Sequence, residues 1–99
     1  MIAGSQCRAG RALVEISRAK LAARANVPEQ VIERFENRLE EPDEATIARL
    51  AHALEELGAV FIDENGGGIG VRLRFSSSEA RQISRMEGEG GVAANDVVP

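Results

Sequence analysis

The sequence predicts a mainly α domain, four short helices followed by a β-hairpin and a disordered tail. Three observations carry that prediction. Ile47, Leu50, Leu54 and Leu57, with Ala51 beside them, recur at intervals of 3, 4 and 3 residues, the spacing of one buried helical face. Past Gly58 the period becomes two, with Val60 and Ile62, then Val71, Leu73 and Phe75 interleaved with Arg72 and Arg74. Cap and turn residues (Ser17, Asn26, Pro28, Asp43, Gly58) punctuate the chain between apolar clusters. Ninety-nine residues make one small domain and exclude a two-domain enzyme.

The first helix is expected from about Ser5 to Glu15, with Ser5 as its N-cap and Cys7, Ala9, Ala12 and Leu13 on one buried stripe, weakened by Gly10. Ser17 caps a second helix, Arg18 to Ala25, whose inner positions are Leu21, Ala22 and Ala25. Asn26 ends it because Asn tolerates the left-handed conformation, and Val27 covers the end with an apolar contact. A third helix, 28–38, opens at Pro28, where a missing N–H costs nothing, with Glu29 favoured by the positive end of the helix dipole. Val31, Ile32 and Phe35 form its apolar edge; Gln30, Glu33, Arg34, Asn37 and Arg38 face elsewhere. Asp43 caps the fourth helix, Glu44 to Leu57, and Gly58 stops it. Residues 1–58 are thus read as the helical domain, 59–75 as a hairpin extension and 76–99 as a mostly disordered tail with a helical turn around Ile83.

Composition narrows the function classes. Lys plus Arg number 12 against 16 Asp plus Glu, a net charge of −4, but residues 1–38 carry +3 and the remainder −7. That asymmetry is compatible with a basic face on an acidic body. Phe35, Phe61 and Phe75 are the only aromatic residues, too few for a base-stacking platform on single strands, so any nucleic acid must be read by helices. The longest apolar stretch, Leu57 to Ile62, is far short of a membrane span, and no signal-peptide pattern opens the chain, so a cytoplasmic location is expected. One cysteine, Cys7, and one histidine, His52, make neither a disulfide nor a zinc site, and both read as structural. The run Gly66 to Gly70 has the composition of a phosphate-cradling loop, but a strand-like segment follows it where such a loop needs a helix, so it reads as a hairpin turn. No catalytic constellation, metal set or cofactor site is expected.

The segment Ser17 to Leu54, SRAKLAARANVPEQVIERFENRLEEPDEATIARLAHAL, resembles the helix-turn-helix family of phage repressors and Cro-like regulators, the XRE family. The matching residues are Leu21-Ala22, the turn Ala25-Asn26-Val27, Ile32, Phe35-Glu36-Asn37, Pro42 and Leu50-Ala51. With the first helix the likeness covers roughly residues 5 to 58, and FIDENGGGIGVRLR is similar to a C-terminal extension on some small bacterial members. Physics explains part of the pattern: two short helices that approach closely need a small inner residue, here Ala22, and the turn needs a left-handed residue, here Asn26.

The resemblance implies a lambda-repressor-like fold and a sequence-specific DNA-binding regulator, most simply a repressor. It implies that the third helix enters the major groove, with Arg18, Glu29, Gln30 and Arg34 at base-contacting places and Asn37 and Arg38 on phosphates. Gln30 suits adenine, Arg18 or Arg34 guanine, and Glu29 either accepts from cytosine or simply repels phosphate. It further implies that Arg11 pairs with Glu36. A homodimer on palindromic double-stranded DNA is expected, with hairpin edges as the pairing surface. Two departures stand out: Pro28 occupies a place often held by a hydroxyl residue, and Glu40, Glu41, Asp43 and Glu44 put four carboxylates where phosphate would approach. The acidic loop motivates the alternative of a protein-interaction module of the same fold, antiactivator or antitoxin-like, with weak or no DNA binding.

Overall fold

The computed structural model describes residues 1–75; the tail expected over 76–99, including the turn around Ile83, lies outside them. The described chain runs α1 (Gly4–Val14), α2 (Arg18–Ala25), α3 (Glu29–Glu36), α4 (Glu44–Glu56), β1 (Ala59–Ile62) and β2 (Gly70–Leu73). The fold is therefore mainly helical with a two-stranded antiparallel hairpin.

Local chemistry accounts for the boundaries. Ser17 Oγ accepts the Lys20 N–H at 3.1 Å and Asp43 Oδ1 accepts the Thr46 N–H at 2.9 Å, so α2 and α4 each begin on a side-chain cap. Three helix ends share one device. Glu15, Asn26 and Arg38 all adopt left-handed φ of 59°, 57° and 62°, and the apolar residue after each returns its N–H to a carbonyl five residues back: Ile16 to Arg11 at 3.1 Å, Val27 to Ala22 at 3.1 Å, Leu39 to Arg34 at 2.8 Å. This is the closure that normally employs glycine.

That device corrects the third helix. Instead of 28–38 it spans Glu29–Glu36, with Pro28 as its extended N-cap rather than its first turn, and Asn37 as its C-cap. Arg38, expected inside the helix, has already turned left-handed and reverses the chain.

The first helix needs a larger correction. It starts one residue earlier, capped at Ala3, with Ser5 exposed in its first turn, and the Gln6 Oε1 accepts the Ala3 N–H at 2.9 Å. Its buried face is Gly4, Gln6, Cys7 and Gly10, whereas Ala9, Ala12 and Leu13 are exposed. The reason is close approach. A Cβ on Gly4 would collide with the Phe35 carbonyl oxygen, and one on Gly10 would sit 3.3 Å from the Phe61 ring. The glycines mark where α3 and the hairpin press against α1.

Leu21, Ile32, Ile47, Leu50 and Leu54 are fully buried and form the centre of the core with Cys7, Val27, Phe35 and Ala59. Each large aliphatic side chain there stabilises the fold by about 2 kcal/mol relative to exposure. The hairpin shares this core, because Ala59 is buried in it and Phe61 and Val71 pack against it.

The register pairs Ala59 with Leu73, Val60 with Arg72, Phe61 with Val71 and Ile62 with Gly70. Directly opposed residues share a face, so the inner face is Ala59, Phe61, Val71 and Leu73. Val60 and Ile62 lie on the opposite face beside Arg72. Gln6 fastens the hairpin to α1, its Nε2 donating to the Ile62 carbonyl at 3.2 Å and the Gly70 carbonyl at 2.9 Å. At the glycine turn, Glu64 Oε2 accepts from Gly66 and Gly68 N–H at 3.0 and 3.2 Å, and Asn65 Oδ1 accepts from Gly67 at 3.1 Å. Those donors are committed to the chain's own side chains.

Candidate nucleic-acid interface

The geometry begins at Glu36, the last residue of α3, whose side chain is 0% exposed. Arg11 on α1 grips it with two bonds, Nη2 to Oε1 at 2.7 Å and Nε to Oε2 at 2.8 Å. Arg18, the first residue of α2, adds Nε to Oε1 at 3.3 Å, and the Cys7 thiol donates to Oε2 at 3.3 Å. Among the described residues no buried side-chain nitrogen or oxygen lacks a partner, which is the condition for a buried charge to be tolerated. Burial alone would push the Glu36 carboxyl up, but the bonds from Arg11, Cys7 and Arg18 win and hold it below the usual carboxylate range. Its bond to Glu36 raises the Arg11 guanidinium, while burial and the adjacent carboxylate push the Cys7 thiol up and keep it neutral.

This cluster ties the end of α3 to α1 and to the start of α2. Ile32, Phe35 and Glu36 face inward, so the opposite side of the helix is left to solvent: Glu29, Gln30, Glu33, Arg34 and, at the cap, Asn37 are all exposed. One residue type per face follows from the 3.6-residue period. Gln30 and Arg34, one turn apart, border an open groove of about 410 Å³ between α3 and the start of α4, which Glu40, Thr46 and Arg49 also line.

The expected contact residues do not form one set. Glu29, Gln30 and Arg34 share the exposed side of α3. Arg18 is turned toward Glu36 and its side chain is 31% exposed. Arg34 Nε is bound to Glu40 Oε1 at 2.9 Å, an ion pair open to solvent on both sides. Asn37 caps the helix through its N–H to the Glu33 carbonyl at 3.0 Å. Arg38 is exposed but borders a second groove, with Gly4, Leu39 and Ile69, rather than the one that holds Gln30 and Arg34.

Two residues and one contact that sequence reasoning passed over shape this surface. Arg49 and Thr46 extend the α3 groove from the next helix, and Glu40 reaches back onto Arg34 across a helix end. The i, i+4 spacing that reveals helical pairs has no counterpart for a contact made through a left-handed turn at an arginine. Arg18 to Glu36 likewise crosses two helices. Among the described residues no three His, Cys, Asp or Glu side chains converge on a metal position, and no helix is long and apolar enough to cross a membrane. No protein-family model matches the chain, and no curated protein sequence matches it.

Proposed function

We propose that the protein is a sequence-specific DNA-binding transcriptional regulator, a repressor with a lambda-repressor-like helix-turn-helix, that reads the major groove with α3. The observation that carries this reading is the exposed polar side of α3, Gln30 and Arg34 with Asn37 at its end, on a helix whose other side is anchored in the core and clamped through Glu36 to Arg11. A rigid, polar, outward helix face is what the major groove admits. Gln30 pairs with adenine, Arg34 with guanine, and Glu29 and Arg18 flank them. Asn37 and Arg38 hold phosphate. Arg18 engages Glu36 through Nε, which couples that arginine's placement to the clamp. A homodimer sets two copies of α3 about 34 Å apart on a palindrome.

Selection of bound duplexes from a random pool, followed by anisotropy titration, tests the assignment. Gln30→Ala relaxes preference at one position in each half-site by about 5- to 100-fold, and Arg38→Ala weakens all sequences alike and lowers the salt slope by about 1. Identical affinities for wild type and both variants reject it.

The exposed side chains of Met1, Leu39 and Ile69 around the second groove favour a second reading, an antiactivator or antitoxin-like interaction module of the same fold. Retention on bulk DNA at low salt separates the two, because only the regulator binds and releases with salt.

A further inference from the structure

The contact between Arg34 and Glu40 has a geometry that the DNA reading alone does not require. Glu40 lies six residues beyond Arg34, outside α3. It returns because Arg38 turns left-handed, after which the N–H groups of Leu39 and Glu40 both bond to the carbonyl of Arg34, at 2.8 and 3.3 Å. The carboxylate is therefore built on the backbone of the arginine it holds. It takes the Nε position alone, and among the described residues this is the side-chain hydrogen bond Arg34 makes. A guanidinium has five donors in a planar fork, so the Nη1 and Nη2 donors of Arg34 stay uncommitted among the described residues, on a side chain that lines the groove together with Gln30.

We infer that Glu40 is a specificity-determining residue, which holds Arg34 through Nε so that its Nη1 and Nη2 edge meets the O6 and N7 acceptors of a guanine. The inference rests on the DNA-binding reading above. Two bonds to guanine demand a fixed plane, and a long side chain fixed beforehand gives up less freedom on docking. The same carboxylate repels phosphate, so Glu40 lowers affinity for every duplex while it sharpens the choice of base. The two effects have opposite signs and can be read separately.

The experiment uses the full chain and the duplex recovered by selection. Arg34→Ala first identifies the guanine whose preference it abolishes. Anisotropy titrations then compare wild type, Glu40→Ala and Glu40→Gln on the matched duplex, on the duplex with that guanine replaced, and on bulk DNA, at several salt concentrations. Glu40→Ala is expected to bind bulk DNA more tightly, yet to lose about 2- to 5-fold in discrimination at that one position, the scale of an exposed ion pair. Glu40→Gln, whose amide oxygen still accepts from Nε, gains affinity and keeps more of the discrimination. Without DNA, the ¹⁵N resonance of Arg34 Nε–H is expected to lose its protection from exchange in Glu40→Ala. Equal gains on matched and replaced duplexes overturn the inference, leaving Glu40 as a phosphate repellent. Unchanged Arg34 Nε–H exchange overturns it as well. A wild type with no base preference and no salt-dependent binding overturns the DNA reading itself, and the inference with it.

Discussion

Arg11 and Glu36, 25 residues apart in sequence, meet in a two-bond contact with Nη2 to Oε1 at 2.7 Å and Nε to Oε2 at 2.8 Å. Glu36 is buried, so removing its main partner leaves the charge held only by the longer bonds from Arg18 and Cys7. Arg11→Ala is expected to cost about 3 kcal/mol of folding stability. Arg18→Ala, which removes one longer bond from a more exposed side chain, costs less. Urea unfolding of the two variants checks the order, and equal losses would refute the assignment of Arg11 as the principal partner.

The pH dependence follows from the same carboxyl. In the folded state Glu36 lies below its ordinary value of 4.5. A depressed folded value means that the unfolded chain binds the proton first, so the stabilisation is complete above about pH 4.5 and is lost as pH falls through the folded value. Stability of the wild type should decline across that acid window. Glu36→Gln is less stable at neutral pH and declines less steeply there. Urea midpoints collected from pH 7 to pH 3 decide the matter, and parallel curves for the two proteins would contradict it.

Two glycines of α1 should respond differently to alanine. At Gly4 the added methyl meets the Phe35 carbonyl, a backbone atom that cannot yield, and overpacking of this kind costs about 1 to 3 kcal/mol. At Gly10 the neighbours are the flexible Phe61 ring at 3.3 Å and Leu54 Cδ1 at 3.5 Å, and the gain in helix propensity of about 1 kcal/mol offsets the crowding. Thermal melts should place Gly4→Ala well below wild type and Gly10→Ala close to it.

Glu15 pays a conformational cost at φ 59° that glycine would not. It is exposed, and none of its side-chain atoms makes a bond among the described residues. Glu15→Gly is expected to stabilise the fold by about 0.5 kcal/mol, after the greater freedom of glycine in the unfolded chain is deducted. A melting temperature lower than wild type would show that the left-handed cap is not strained.

Cys7 is fully buried and its thiol is kept protonated by burial and by the neighbouring carboxylate of Glu36. Alkylation requires the thiolate and access to it. Labelling by iodoacetamide at pH 8 should therefore run about a thousandfold slower in the native protein than in urea, and track global unfolding. Rapid native labelling would place Cys7 outside the core.

In α2, α3 and α4 large side chains and local caps let the sequence alone determine most of the structure. Leu21, Ile32, Ile47, Leu50 and Leu54 have the spacing and bulk that set both the period and the phase of α2, α3 and α4, and Ser17, Asn26, Asp43 and Gly58 terminate those helices by local hydrogen bonding or backbone freedom. The tertiary structure decided the rest. In α1 the candidates were Cys7, Ala9, Ala12 and Leu13, mostly too small to fix a face, and close contact with Phe35 and Phe61 instead buried Gly4 and Gly10 and left Leu13 exposed. In the hairpin, alternation alone could not say which of Val60 or Phe61 points inward, and packing of the Phe61 ring over Gly10 chose it. The exposed polar residues of α3 were legible as a face. That Arg18 would turn to Glu36 and Arg34 to Glu40 was not, because ion pairs across helix ends depend on how the chain reverses, which no periodicity records.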